Sequence, residues 1–403
     1  MTRRTRKRSN FWRIALLFVA VGGLLYVNQV VVPATPPLFI PTETPTQSPE
    51  SFVNRAEELA RAGKLPQAID AYKDAISTDP TNPANYVALA RLQVLTGQYD
   101  EAVINAQNAQ LKNPNNGLAV AVEAWAMGFL EKFIEAERKI KQALELDPNS
   151  ALAHAYYAEI LIIQENADLI QKAIEESQKA QALDNRLFET HRIRGIILYN
   201  TTNHEEAIRE FEAALAINKN IADVHLYLGL AYKALEEYDK AAEALLLAYA
   251  LDPTNTVGLT ELSRAYAAAG RFAPAVQYAE EAVKVEPSNP RLHGNLGIMY
   301  YENEELDQAI QALSLAVRGG TTAAGTEVKG LPLDYSRVMS YYWYYGFALT
   351  KRDRCTEAVP VFQALLTGVP NDETAVYNAN AGLEMCAQKL GTPVALPTAT
   401  EKP

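Results

Sequence analysis

ADVHLYLGLAYKALEEYDKAAEALLLAYALDPTN, residues 222–255, decides the fold. Leu226, Leu228, Leu230 and Tyr232 open one helix, and Ala241, Leu245, Ala248 and Leu251 stripe a second at helical spacing. The same phrase runs through the chain. Alanine recurs at residues 68, 102, 136, 173, 207, 241, 275, 309 and 358, at intervals of 34, 34, 37, 34, 34, 34, 34 and 49. A second alanine ladder runs Ala75, Ala109, Ala143, Ala180, Ala214, Ala248, Ala282 and Ala316. A period of 34 marks a helix–turn–helix unit that stacks into a solenoid, because one unit cannot bury its apolar face alone.

Two short antiparallel helices approach closely only where their facing side chains are small. That accounts for the alanines and for the small residue eight positions into each copy: Ala56, Ala90, Ala124, Ala158, Gly195, Gly229, Ser263, Gly297 and Gly346. Pro80, Pro114, Pro148, Pro253, Pro287 and Pro370 mark repeat ends, where a missing backbone donor stops the second helix. Asn82-Pro83 and Asn289-Pro290 then supply an Asn cap with Pro at the first helical position.

These residues resemble the tetratricopeptide repeat, whose motif has small residues at positions 8, 20 and 27 and proline at 32. The resemblance implies an all-α superhelical solenoid of about nine repeats over residues 49–390. The repeats start near 49, 83, 117, 151, 188, 222, 256, 290 and 339, and a capping helix follows from about 372 to 390. Position 32 departs from the motif at Asn185, Lys219 and Thr321. Two insertions break the period. Three extra residues within Gln164–Leu169 are expected to lengthen the turn inside repeat four, and fifteen fall in Gly319–Leu333, GGTTAAGTEVKGLPL. The second is either a functional or mobile loop or a tolerated surface insertion.

The first 32 residues lie outside the solenoid. Arg3, Arg4, Arg6, Lys7, Arg8 and Arg13 make residues 1–13 a basic segment, and residues 14–32 are apolar except for Asn28 and Gln29. At about 1.5 Å rise per residue this run approaches the roughly 30 Å of a bilayer core. Basic residues before the span and an acidic chain after it place the N-terminus in the cytoplasm and the repeats outside it. The competing reading is a cleaved signal peptide with a poor site at Val32-Pro33-Ala34; an uncleaved, single-pass signal anchor is favoured. Residues 33–48, rich in Pro and Thr, read as an extended linker, and 391–403 as a disordered tail.

The formal net charge is −11, and the first 13 residues hold six basic and no acidic groups, so the remainder carries −17. An acidic body lacks the basic footprint of a nucleic-acid binder. No phosphate-binding glycine loop, GxSxG, HExxH or CxxC occurs, and no clear strands are expected. The reading is therefore non-enzymatic, with no cofactor. His154, His191, His225 and His293 share repeat position 4 with Phe52, Tyr86, Val120, Leu259 and Tyr342, which marks them as packing residues rather than metal ligands.

In this family the concave groove is lined by positions 2, 5, 9 and 12 of each first helix. Carried over copy by copy, these give Arg91, Trp125, Arg192, Tyr199, Lys233, Arg264, Arg291, Tyr301, Trp343 and Phe347 as candidate binding residues. The groove charges balance at five basic and five acidic, the acids being Glu50, Glu57, Glu159, Glu189 and Asp223. Repeats one to four hold Arg91 against three acids, while repeats five to nine hold four bases against two. Guanidinium and aromatic groups together suit a peptide or protein partner with carboxylates and apolar side chains. The two-lysine, two-asparagine carboxylate clamp of some relatives is not reproduced. An alternative function is a cell-wall or glycan-associated module using the aromatic cluster 335–347, YSRVMSYYWYYGF, as a stacking platform; packing of the terminal repeat is the favoured reading of that cluster.

Cys355 and Cys386 are the only cysteines. The first starts the second helix of repeat nine and the second lies near the far end of the capping helix, which in this architecture makes them neighbours. Export to an oxidising compartment would let them pair.

Overall fold

The protein is described by a computed structural model covering residues 10–31 and 48–391. It divides into two units, Met1–Ser48 and Pro49–Pro403. In the first, an α-helix spans Phe11–Tyr26 and continues as a π-helical turn, Val27–Val31. Phe11–Val30 is long and apolar enough to cross a membrane, with mean hydropathy 1.7, and its length and composition suit a signal sequence equally. Most of the basic segment, the linker through residue 47 and the tail from residue 392 lie outside the described residues.

Among the described residues of the second unit, nineteen helices run from Pro49 to Leu390 as nine antiparallel pairs and a closing helix, Glu373–Leu390. The reason for the strict period lies in one recurring contact. A Cβ added to Gly195, Gly229, Gly297 or Gly346 would lie within 2.6 Å of Phe211, Leu245, Leu313 or Phe362 respectively. Each pair joins repeat position 8 to position 24 of the same copy. Where position 8 holds a glycine, position 24 holds a large residue that fills the space.

Repeat junctions are built from caps. Asn82 accepts from the Ala84 amide at 3.0 Å, and Asn289 from the Arg291 amide at 3.0 Å, as their sequence predicts. Proline is not essential at position 32: the second helices of repeats four and five end at Leu183 and Ile217, before Asn185 and Lys219. The position-4 residues do more than pack. Tyr86 donates its hydroxyl to the Pro80 carbonyl at 3.2 Å, and His225 and His293 use Nε2 on the carbonyls of Lys219 and Pro287 at 2.8 and 2.9 Å. Each ties off the position-32 carbonyl of the preceding repeat, an acceptor left free where the second helix ends.

Both insertions differ from expectation. The turn in repeat four, 163–166, is only one residue longer than that of repeat three, 130–132; the second helix, Ala167–Leu183, takes up the rest, with 17 residues where that of repeat three, Phe133–Leu146, has 14. Asn166 caps the extended start by accepting from the Asp168 amide at 3.0 Å, which lets the three extra residues be helical. The second insertion contains strands that the sequence reading did not expect. Gly320–Thr321 pairs antiparallel with Glu327–Val328. Val328 is buried, Leu331 donates its amide to the Ala316 carbonyl at 2.8 Å, and the Tyr342 hydroxyl donates to Leu331 at 3.1 Å. The segment is a hairpin fastened to repeats eight and nine.

Cys355 and Cys386 form a disulfide with Cα atoms 5.4 Å apart. Both are buried, and the bond ties the closing helix, which has a neighbour on one side only, to repeat nine.

Candidate partner-binding surface

The ten candidate residues all lie on first helices, but those helices place them in different surroundings. Trp125 is 1% exposed, stacks on Tyr156 with centroids 4.2 Å apart, and donates its indole N–H to Glu159 at 2.7 Å. Glu159 in turn accepts two hydrogen bonds from the Arg192 guanidinium, both at 3.0 Å, and Arg192 donates a third to Asp223. The four groups come from repeats three, four, five and six and form one ladder across adjacent first helices. The Arg192 side chain is 7% exposed. Its charge is held well above the ordinary range by Asp223 and Glu159, which outweigh the burial acting against it. Trp125 and Arg192 therefore serve the fold and present no free surface.

Arg91 is used similarly, reaching from repeat two to pair with Glu189 in repeat five and donating to the Tyr156 hydroxyl at 3.1 Å. This pair is part of a seam between the start of the solenoid and its middle. Asn220 donates to the Arg61 carbonyl at 2.7 Å, and a Cβ on Gly63 would lie 2.6 Å from the Asn220 carbonyl oxygen. Cavities of about 420 and 470 Å³ flank these contacts, and Leu65, Leu95 and Ile221 line both.

Further along, Lys233 and Arg264 share Glu261, with Arg264 at 2.6 Å, and Arg264 donates to Asn295 at 3.0 Å. These cations hold the Glu261 carboxyl below its usual range despite its burial. Tyr199 lies edge-on to Tyr227, half-buried.

The last two repeats are different. Arg291 is exposed, and among the described residues its side chain has no ion-pair or hydrogen-bond partner. Tyr301, Trp343 and Phe347 are half-buried. Tyr301 meets Tyr344 edge-on at 5.1 Å and carries the Lys351 ammonium 4.2 Å above its ring. The rest of the 335–347 cluster packs: Tyr341 and Tyr345 are buried, Tyr344 donates to Glu302 at 2.8 Å, and Phe347 lies 5.4 Å from Phe362.

One residue missed by the register is Arg337. It precedes the first helix of repeat nine, Val338–Lys351, and so falls outside the repeat positions used to list candidates. The Tyr341 ring covers Gly294, where a Cβ would be 2.6 Å away, and its hydroxyl donates to the Arg291 carbonyl at 3.4 Å. That contact brings the start of repeat nine against the start of repeat eight. Partial burial first, and the like charge of Arg264 second, lower the Arg337 pKa.

The tetratricopeptide-repeat family matches residues 59–126, and again 194–256 and 260–324. Among solved structures, the hetero-tetramer Cut9–Hcn1 of the APC/C is similar at 18% identity and a TM-score of 0.50, over 71% of this chain and 54% of that one. This chain thus spans about half the length of that structure's chain. PilF of Pseudomonas aeruginosa is similar at 24% identity and a TM-score of 0.41, over 48% of this chain and 89% of that one. The MamA protein is similar at 26% identity and a TM-score of 0.34, over 42% and 93%. No curated protein sequence matches the chain. Period, helix pairing and family match agree: the chain is a tetratricopeptide-repeat protein.

Proposed function

We propose that this chain is a non-enzymatic scaffold that binds a protein or peptide partner on the first-helix groove of repeats eight and nine. Tetratricopeptide repeats generally mediate protein–protein interaction, and the family is typically non-catalytic. The observation that carries this reading is the unequal use of the same repeat positions. Earlier cations are consumed by internal pairs, whereas Arg291, Tyr301, Trp343 and Phe347 keep accessible surface. The basic start and the apolar Phe11–Val30 run support a membrane anchor that holds the repeats outside the cytoplasm.

The groove is tested with a photo-crosslinking residue placed in cells at position 343 or at the distant, 85% exposed position 134. A discrete adduct is expected at 343 and none at 134; equal adducts would remove the groove reading. For the anchor, protease added outside intact cells should cut the repeats. Protected repeats, or a soluble chain with a mature N-terminus near Thr35, would overturn it. A glycan-binding reading gains little support, because most of the aromatic cluster is buried or hydrogen-bonded within the chain.

A further inference from the structure

We infer that repeat one, residues 49–78, is a latch: hinged at its junction with repeat two, it closes on the end of repeat five and swings away as a folded unit. At every later junction successive first helices pack on one another, down to the closing helix. At the first, Pro49–Arg61 and Pro83–Leu95 make no comparable contact. Both instead line the cavity of about 420 Å³, through Ala60 and Ala88. Repeat one also has its own core. Ala56, Ile69, Ala71 and Tyr72 cluster with Leu89 of repeat two, apart from the apolar core that runs from Tyr86 to Ala244. Its second helix, Leu65–Thr78, is what holds it to Pro83–Leu95. A unit with its own core and a single packed neighbour can move without unfolding.

Closure depends on one bare turn. Repeat position 15 has a positive φ in every copy, and Glu131, Glu165, Glu236 and Glu304 occupy it in four of them, so the turn itself does not demand glycine. Among the glycines there, Gly97 and Gly270 face open space. At Gly63 a Cβ would lie 2.6 Å from the Asn220 carbonyl oxygen and 3.0 Å from Leu251. Just before it, the Arg61 carbonyl accepts from the Asn220 side chain at 2.7 Å. Among the described residues, no helix of repeat one packs along a helix of repeats five or six. The latch therefore closes through point contacts, which one hydrogen bond or one side chain can tip. Opening moves Leu65 away from Leu95 and Ile221, which line both flanking cavities with it, and bares an apolar strip. An apolar segment of a partner would bind that strip in the open form alone and hold the latch open.

The test uses the full chain in detergent with spin labels on Gln67→Cys and Lys219→Cys, two exposed positions on either side of the contact; Cys355 and Cys386 are already paired. A reference pair at the exposed positions 101 and 135 reports the junction of repeats two and three. Pulsed dipolar distances should show one short component for the wild type. Gly63→Glu installs the residue that this turn carries in other copies, and should make a longer component dominant. Asn220→Ala should raise the open-to-closed ratio on the order of fivefold, the worth of one hydrogen bond. Gly97→Glu should leave the distances as they are, and the reference pair should not respond to any of these changes. A wild type without the short component, a Gly63→Glu or Asn220→Ala chain that keeps it alone, or a shift in the reference pair overturns the inference. So does loss of hydrogen-exchange protection over residues 49–78 in Gly63→Glu, which would mean that repeat one melts rather than swings.

Discussion

The first helices of repeats three to six and those of repeats eight and nine both carry charged and aromatic residues at groove positions, yet these residues meet different surroundings. In the earlier repeats Trp125, Glu159, Arg192 and Asp223 satisfy one another across four successive helices. In the later ones Arg291 is exposed and, among the described residues, makes no side-chain hydrogen bond or ion pair within the chain. A charged groove position is thus a structural strut or a side chain without an ion pair according to what the neighbouring repeats place opposite it. A count of groove charges misses this distinction.

The contrast is broken most severely at Arg192. Arg192→Met leaves Glu159 and Asp223 without their cation, Glu159 in a nearly water-free site, and should cost about 3–5 kcal/mol of stability by denaturant unfolding. Arg291→Gln, at an exposed and unpaired position, should change stability within about ±0.5 kcal/mol. Comparable losses in the two variants would mean that the ladder is not what distinguishes the regions.

The later repeats have their own strut in the disulfide. Closing the loop between Cys355 and Cys386, 31 residues apart, constrains the unfolded chain by about 3–4 kcal/mol on chain-entropy grounds. Cys355→Ser with Cys386→Ser should lower the unfolding midpoint and raise hydrogen exchange in the closing helix first, because that helix has a neighbour on one side only. Two free thiols in the unfolded, unreduced protein would show that the bond does not form.

How much of this was legible follows from where each contact's partners lie in the chain. The period, the caps at Asn82 and Asn289 and the Cys355–Cys386 pairing were readable, since they depend on neighbours within one repeat or the next. The Arg91–Glu189 pair was not, because 98 residues separate its members and only the winding of the solenoid joins them. The period places three added residues within Gln164–Leu169 but does not say which element takes them; Asn166 caps a longer second helix. Arg337 stands just before the first helix of repeat nine, outside the repeat positions that line the groove, so the register does not reach it.

The seam that makes Arg91 a strut can be probed through two glycines of matched backbone. Gly63 and Gly97 have φ of +73° and +76°, but only Gly63 has neighbours that a Cβ would strike. Gly97→Ala should cost about 1–2 kcal/mol from the left-handed conformation alone. Gly63→Ala should cost roughly 1–3 kcal/mol more as the Asn220 contact is forced apart. Equal losses would show that repeats one and five do not hold this contact in solution.

The smallest effect concerns how the two ends of a repeat junction are tied, and it depends on pH. Tyr86 ties off the Pro80 carbonyl with a hydroxyl, which does not change charge near neutrality. His154 does the same job in repeat four with Nε2 on the Pro148 carbonyl at 3.1 Å, while Nδ1 meets Glu176 at 2.5 Å. Both ring nitrogens face acceptors, so the imidazolium alone can satisfy both. The Glu176 hydrogen bond accordingly raises the His154 pKa against the opposing effect of burial. A folded-state pKa above the unfolded value of roughly 6.5 means that the contribution is fully present below that pH and is lost as pH rises through the folded value. Stability should therefore decline on that limb in the wild type and less so in His154→Gln, which can still donate to a carbonyl but does not titrate. Denaturant midpoints measured from about pH 5 to 9 decide it: parallel curves for the two proteins would mean that His154 is neutral in the folded state and that Glu176 is held by Lys179, its neighbour at 2.8 Å, instead.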